Sequence, residues 1–323
     1  IEVLIYQLAR IELDFTGAAS LAFLQGGLSL IGMAIILKGR DSRVEQESAS
    51  KSWLPEKLRN RSMKAWFGLS WILLVLIFAL GPLFAILMDS FRKFEHGEWI
   101  YTWYWYSELF TWRENNYFLS SLWNSLRIGL GSALISSISG LGLVSIIAYR
   151  KGVKRRFWEM LTLFPIALST VVFGVAWFHF YHGHLAGTVP LIFVVMAMHA
   201  LLTCPYWIRI VLPTLESIPL QWHTESKMLG KQPLEYGVRI LWPWLSKTFL
   251  IAFFFSFSLS LGELNSTMMI ADETVRTLPL EIYGAISGYR FSYASAVAVI
   301  LLILTVSTFL LVERSIGFFG RLK

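Results

Sequence analysis

Glu263 is the residue in this 323-residue chain whose setting most demands a chemical reason. It sits inside a long apolar stretch, Thr248–Ala271, with Asn265, Ser266 and Thr267 beside it. An ionisable side chain at membrane depth is costly, so it faces a protein interior or a wet cavity and marks a solute pathway. A carboxylate there would serve as counter-charge to a cationic solute. The structural alternative is a helix–helix hydrogen bond. A second group, His179, His182 and His184, has a spacing at which imidazoles ligate a metal. No carboxylate or thiol lies near it in sequence, and no metal is expected. His199 and Cys204 fall in another apolar stretch and read as packed side chains. A single cysteine leaves no intrachain disulfide. The chain contains no Walker A loop, nucleophile elbow or zinc-protease helix, so no ATPase activity of its own is expected.

The elements that must position these residues follow from composition. The chain is 55% hydrophobic and 15% charged, with a mean hydropathy of +0.58. Soluble domains average about 45–50% and about 25%. These values argue against a soluble enzyme, a disordered chain or a nucleic-acid-binding module and for an all-α polytopic membrane protein. Seven stretches are long enough to cross a bilayer as helices: Ala18–Leu37, Trp66–Met88, Ser125–Ala148, Trp158–Phe180, Pro190–Trp207, Thr248–Ala271 and Tyr293–Val312. Lipid offers no hydrogen bonds to backbone, and strand alternation is absent, so helices are expected.

Basic residues sort by side. Of the 28 lysines and arginines, 21 lie in 38–64, 150–156, 208–247 and the C-terminal tail, whereas six lie on the opposite side. The positive-inside rule makes the richer side cytoplasmic. The first residues are then periplasmic and the C-terminus cytoplasmic, as an odd number of spans requires.

Residues 38–64 are polar and charged and read as a cytoplasmic linker between two membrane units. Residues 89–118 are external and crowded with aromatics, including Trp99, Tyr101, Trp103, Tyr104, Trp105 and Tyr106. They read as an interfacial aromatic belt, with a docking surface as the alternative. Ile5-Tyr6, then Ala18-Ala19, then an apolar run ending at Lys38 echoes Ile282-Tyr283, then Ala294 and Ala296, then a run ending at Glu313-Arg314. That echo, with a start at Ile1, leads to the expectation that 1–37 is the end of a first membrane unit and 65–323 a complete second one.

The loop 208–247 carries the most specific pattern. It holds Thr224-Glu225-Ser226, Gly230, Ile240 and Pro243. Pro219 can open a helix, Gly230 can end it, Pro233 can open the next and Pro243 can stop it. Two short helices with a turn at Gly230 are expected against the inner membrane face.

The spacing Gly230, nine residues, Ile240-x-x-Pro243 resembles the EAA loop of ABC-transporter permeases. In that register Thr224 stands where the family prefers Glu, Glu225 is displaced by one position, and Trp242 stands where it prefers Leu. Asn124-Ser125-Leu126 resembles the start of the permease core, and Ser260-Leu261-Gly262-Glu263-Leu264 resembles a segment of the unit's fifth span. The external run Arg276–Tyr283 with Gly288-Tyr289-Arg290 is similar to the two-unit permeases for thiamine and ferric iron, most of all those for thiamine.

The resemblance implies a six-helix ABC importer permease unit over 65–323 in a bacterial inner membrane. Its loop residues Thr224, Glu225, Ser226, Gly230, Ile240 and Pro243 would couple to a cytoplasmic ATPase dimer, which binds the ATP. No cofactor in this chain is expected. A periplasmic binding protein would deliver the substrate, thiamine first and ferric iron second, and a second permease unit would complete the pore. Glu263, Asn265 and Ser266 are the expected path residues. Two other classes stay open from the residues alone. A secondary transporter would show broken spans and buried charges, and an intramembrane enzyme would need a catalytic pair at depth.

Overall fold

Apolar runs of this length fold as helices because every backbone N–H and C=O is then satisfied within the run. The computed structural model describes residues 4–5, 7–8, 12, 14–41, 63–111, 117–148, 150, 152–218, 222, 228 and 233–321. In chain order the main elements are α1 (Phe15–Asp41), α2 (Met63–Asp89), a hairpin of β1 (Arg92–Glu95) and β2 (Glu98–Tyr101), and α3 (Tyr104–Leu109). Then come α4 (Phe118–Ala148), α5 (Gly152–Ala167), α6 (Thr170–Phe180) and α7 (Leu191–Glu216). The last are α8 (Trp242–Leu261), α9 (Asn265–Ile270), α10 (Leu278–Ser287) and α11 (Phe291–Arg321).

Among the described residues, five helical segments are long and apolar enough to cross a membrane: Trp66–Asp89, Phe118–Ala148, Leu191–Glu216, Trp242–Leu261 and Phe291–Arg314. A sixth is the pair Lys154–Ala167 and Thr170–Leu185, if the two count as one span. Five or, with the bent pair, six of the seven expected spans are thus found among the described residues. The first expected span, Ala18–Leu37, falls within α1, where the side chains beyond Gly32 lie outside the described residues.

Two expected spans are not continuous helices. Trp158–Phe180 bends by 93° between α5 and α6. Pro165 has no N–H to give the Leu161 carbonyl, and the helix ends two residues later. Ser169 is extended, with ψ 136°, before α6 begins. Thr248–Ala271 stops at Leu261 and resumes as α9 after Gly262-Glu263-Leu264. Pro243 also differs from expectation. It does not stop a helix but is the second residue of α8, directly after a π-helical turn over Gly237–Leu241.

The core is formed by α4, α7 and α8. Small residues on α4 let its neighbours come close: Gly140 lies against the indole of Trp207, which is fully buried, and Gly129 against the Phe257 ring. Membrane helices commonly associate through such small-residue contacts. A hydroxyl pair, Ser258 with Thr308 at 2.6 Å, joins α8 to α11. α2 packs along α11, and Asp89 at its end accepts hydrogen bonds from the Ser292 and Ser295 hydroxyls.

The aromatic segment between α2 and α4 is not all helical. β1 and β2 pair antiparallel, with Phe94 opposite Trp99. His96 and Gly97 turn the hairpin with φ of 52° and 89°, the two positive values a tight hairpin turn requires. Arg92 lies over the Trp99 ring and Lys93 over Tyr104.

Candidate functional site

The two helix breaks lie side by side. A cavity of about 150 Å³ opens between them, lined from the first by Pro165, Ile166, Leu168 and Thr170 and from the second by Leu259, Ser260 and Glu263. α7 closes it with His199, Leu202, Thr203 and Tyr206. His199 is eight residues along α7, roughly 12 Å from its start, and Ser260 roughly 27 Å along α8. The cavity thus lies within the length of α7 but at the C-terminal end of α8, where Ser260 is the last residue but one. Non-helical backbone between membrane-spanning helices is tolerated where it is buried in protein or lines a wet cavity.

Glu263 belongs to the second break. Its Oε1 accepts the Ser266 backbone N–H at 3.0 Å and the Ser266 hydroxyl at 3.0 Å. It thereby satisfies one of the orphan N–H groups at the start of α9.

His199, 1% exposed, is held by hydroxyls on both sides. Nδ1 lies 2.7 Å from Ser260 Oγ and Nε2 lies 2.7 Å from Thr267 Oγ1. The Thr267 hydroxyl donates to the Glu263 carbonyl at 3.2 Å. It must then accept from the imidazole, which puts a proton on Nε2, and a neutral ring accepts the Ser260 hydroxyl at Nδ1. The result is a directed chain of hydrogen bonds from α8 through α7 to α9, ending on the backbone of Glu263.

The half-helices beyond the breaks pack on each other. Gly174 of α6 sits against the backbone of Ser266 in α9. The N-terminal residues ahead of α2 meet the same place: Ile5 and Ala18 are buried with Val171 and Met269. Gly26 of α1 faces the side chain of Leu168, a cavity residue.

The loop 271–277 is tied to the start of the core. Asn124 Nδ2 donates to the Thr274 carbonyl at 3.2 Å, and the Leu278 N–H donates to Ser125 Oγ at 2.7 Å. Asp272 accepts the Thr274 and Val275 N–H groups and the Thr274 hydroxyl on Oδ1. Partial burial raises its pKa, but these hydrogen bonds outweigh it and hold the carboxyl below its usual value.

Of the path residues expected from sequence, Glu263 lines the cavity, whereas Ser266 is buried outside the lining and bonded to Glu263. Asn265 is exposed and outside the lining. Thr224, Glu225, Ser226 and Gly230 lie outside the described residues, as does the Ile240 side chain, while Pro243 opens α8. Among the described residues, His179, His182 and His184 form no metal-holding cluster: His182 packs on Phe178 and His184 stacks on Phe180. Sequence reading took His199 for simple packing and passed over Thr170, Thr203 and Tyr206. Pro165 within an apolar run was the available signal for the bend.

No protein-family model matches the chain. It is 23% identical over 318 residues to the thiamine transport system permease protein ThiP of Brucella abortus (strain 2308), a match covering 98% of this chain and 55% of that protein. The same-named protein of Escherichia coli (strain K12) is also 23% identical, over 98% of this chain and 57% of its own length. The chain thus spans about half the length of the curated relatives it matches. Among solved structures, a chain of a bacterial alginate ABC transporter in complex with an alginate-pentasaccharide-bound periplasmic protein superposes with a TM-score of 0.61 at 15% identity. That match covers 80% of this chain and 96% of that one. The architecture is the ABC permease fold.

Proposed function

We propose that this chain, with the fold of an ABC-transporter permease subunit, is the membrane part of a binding-protein-dependent importer that passes thiamine. One observation carries the reading: in this fold, two broken helices face each other across a cavity walled by apolar helices, and Glu263 lines it. A polar path through apolar helices needs irregular backbone and a polar wall, and both meet here. Broken spans also suit a secondary transporter, but the fold and the sequence similarity both lead to ABC permeases.

Residues 65–323 act as one permease unit, and α1 belongs to the end of the other. The path runs past Glu263 and Ser266. A cytoplasmic ATPase dimer docks on the loop around Thr224–Pro243 and draws the units together when it binds ATP. The states then interconvert because the ATPase contacts them differently. A periplasmic binding protein supplies substrate from the side of the β1–β2 hairpin and the 271–290 segment. Thiamine is the substrate because the curated relatives carry that name over 98% of this chain and because its cationic ring suits a lone carboxylate.

The test is uptake of labelled thiamine into proteoliposomes holding the full-length chain, its ATPase and its binding protein. ATP-dependent accumulation is expected. Accumulation of ferric iron instead would replace the substrate. Uptake driven by an ion gradient without ATP would overturn the importer reading.

A further inference from the structure

Among the described residues, Glu263 is the only acidic side chain in the wall of the cavity, and that wall contains no lysine or arginine. Its Oε1 is committed to Ser266, which fixes the carboxylate without neutralising it. Around it stand the Thr170, Thr203 and Ser260 hydroxyls, the Tyr206 ring and apolar carbon from Pro165, Ile166, Leu168, Leu202 and Leu259. Apolar walls make the single charge more effective, because fewer water dipoles oppose it. Tyr206 adds a ring face of the kind that attracts cations. A volume of about 150 Å³ suits a group of benzene size. It is smaller than the cavities that enclose whole drug-sized ligands, which begin at about 300 Å³.

We infer that this cavity is a binding site for a ring-sized or quaternary-ammonium organic cation, with Glu263 as its counter-ion. The site admits the charged end of a substrate and leaves the remainder in the open side of the path. His199 is a positioning residue. Its hydrogen-bond chain from Ser260 through Thr267 ends on the Glu263 carbonyl, so the backbone that carries the carboxylate is held against α7 and α8. An anion would meet uncompensated repulsion here, and an uncharged isostere would leave the carboxylate without a partner. The inference rests on the permease reading but not on thiamine.

The experiment is calorimetric titration of the full-length chain in nanodiscs with choline, with its uncharged isostere 3,3-dimethylbutanol, and with thiamine. Wild type should bind the cations and not the isostere. Glu263→Gln keeps an acceptor for Ser266 and removes the charge. It should weaken cation binding by about tenfold or more, as loss of a charge-assisted contact does. Leu259→Trp should fill the cavity and abolish binding with the carboxylate intact, and it serves as the test if Glu263→Gln does not fold. Equal binding of the isostere, unchanged cation affinity in Glu263→Gln or Leu259→Trp, or no cation binding to wild type would each overturn the site. Glu263-dependent choline binding without thiamine binding would retain the site and remove thiamine as substrate. Thiamine binding indifferent to both substitutions would do the reverse.

Discussion

Gly174 and Ser266 meet backbone to backbone: a Cβ on Gly174 would lie 2.6 Å from the Ser266 carbonyl oxygen and 2.8 Å from its Cα. Each belongs to the half-helix that follows a break, so this contact sets how the two broken spans lie on each other. Only a residue without a side chain permits it, as at other close helix crossings in membranes.

Gly174→Ala should therefore destabilise the protein by about 1–3 kcal/mol, the usual cost of overpacking, and Gly174→Val by more. Thermal unfolding of the purified protein in detergent checks this. Gly183→Ala is the control, because a Cβ there meets nothing within 4 Å. Equal melting temperatures for Gly174→Ala and Gly183→Ala would contradict the close approach.

His199→Ala should leave the buried Ser260 and Thr267 hydroxyls short of a partner, at about 1–3 kcal/mol for a stranded buried polar group. His199→Asn can restore one of the two bonds and should recover part of the loss. The measurement is again thermal unfolding, compared with Thr203→Ala. An alanine variant as stable as wild type would remove the hydrogen-bond chain as a stabilising element.

Ser125→Ala should orphan the Leu278 N–H, which belongs to a fully buried residue, at about 1–3 kcal/mol. Loosening of the 271–278 segment is the specific readout. Amide hydrogen exchange there should speed up in the variant and stay unchanged at the β1–β2 hairpin.

Asp272 should make stability depend on pH in one direction. Its folded pKa lies below the ordinary carboxylate value, so its contribution is present above the unfolded pKa, about 3.9. It is lost as the pH falls through the folded value. The stability difference between wild type and Asp272→Asn should be constant from about pH 5 to 7 and shrink below about pH 4. A difference that is unchanged by acid would show that the charge contributes nothing.

Gly230→Val should abolish transport-coupled ATP turnover while leaving affinity for the binding protein largely intact. A β-branched residue resists the positive φ expected at a helix-ending turn, so the loop would lose its shape. Unchanged coupled turnover in proteoliposomes would count against this coupling role.

Much of the architecture was legible in the apolar runs, because lipid permits little besides helices at that length. Trp66–Met88, Pro190–Trp207 and Tyr293–Val312 each fall on one helix. The Asn124-Ser125 pair could be marked by resemblance, but its work was not visible: its partners, Thr274 and Leu278, are about 150 positions away. The breaks were harder to see. Averaged over a span, Pro165 and Gly262 hardly change the hydropathy, and a proline in a membrane helix need not end it.

Composition and residue order alone determined that the chain is an all-α membrane protein, pointed to the side of the membrane on which its basic loops lie, and marked Glu263 as an anomaly. Those properties depend on local content, which a linear reading can sum. Only the tertiary structure decided that Glu263 lies across a cavity from Pro165 and Thr170, that Asn265 does not line it, and that His199 is tied to both halves of the second break. Such relations join residues from five helices. They arise because the bend after Pro165 and the break at Gly262 bring two half-helices to the same depth, and the missing side chain of Gly174 lets them touch.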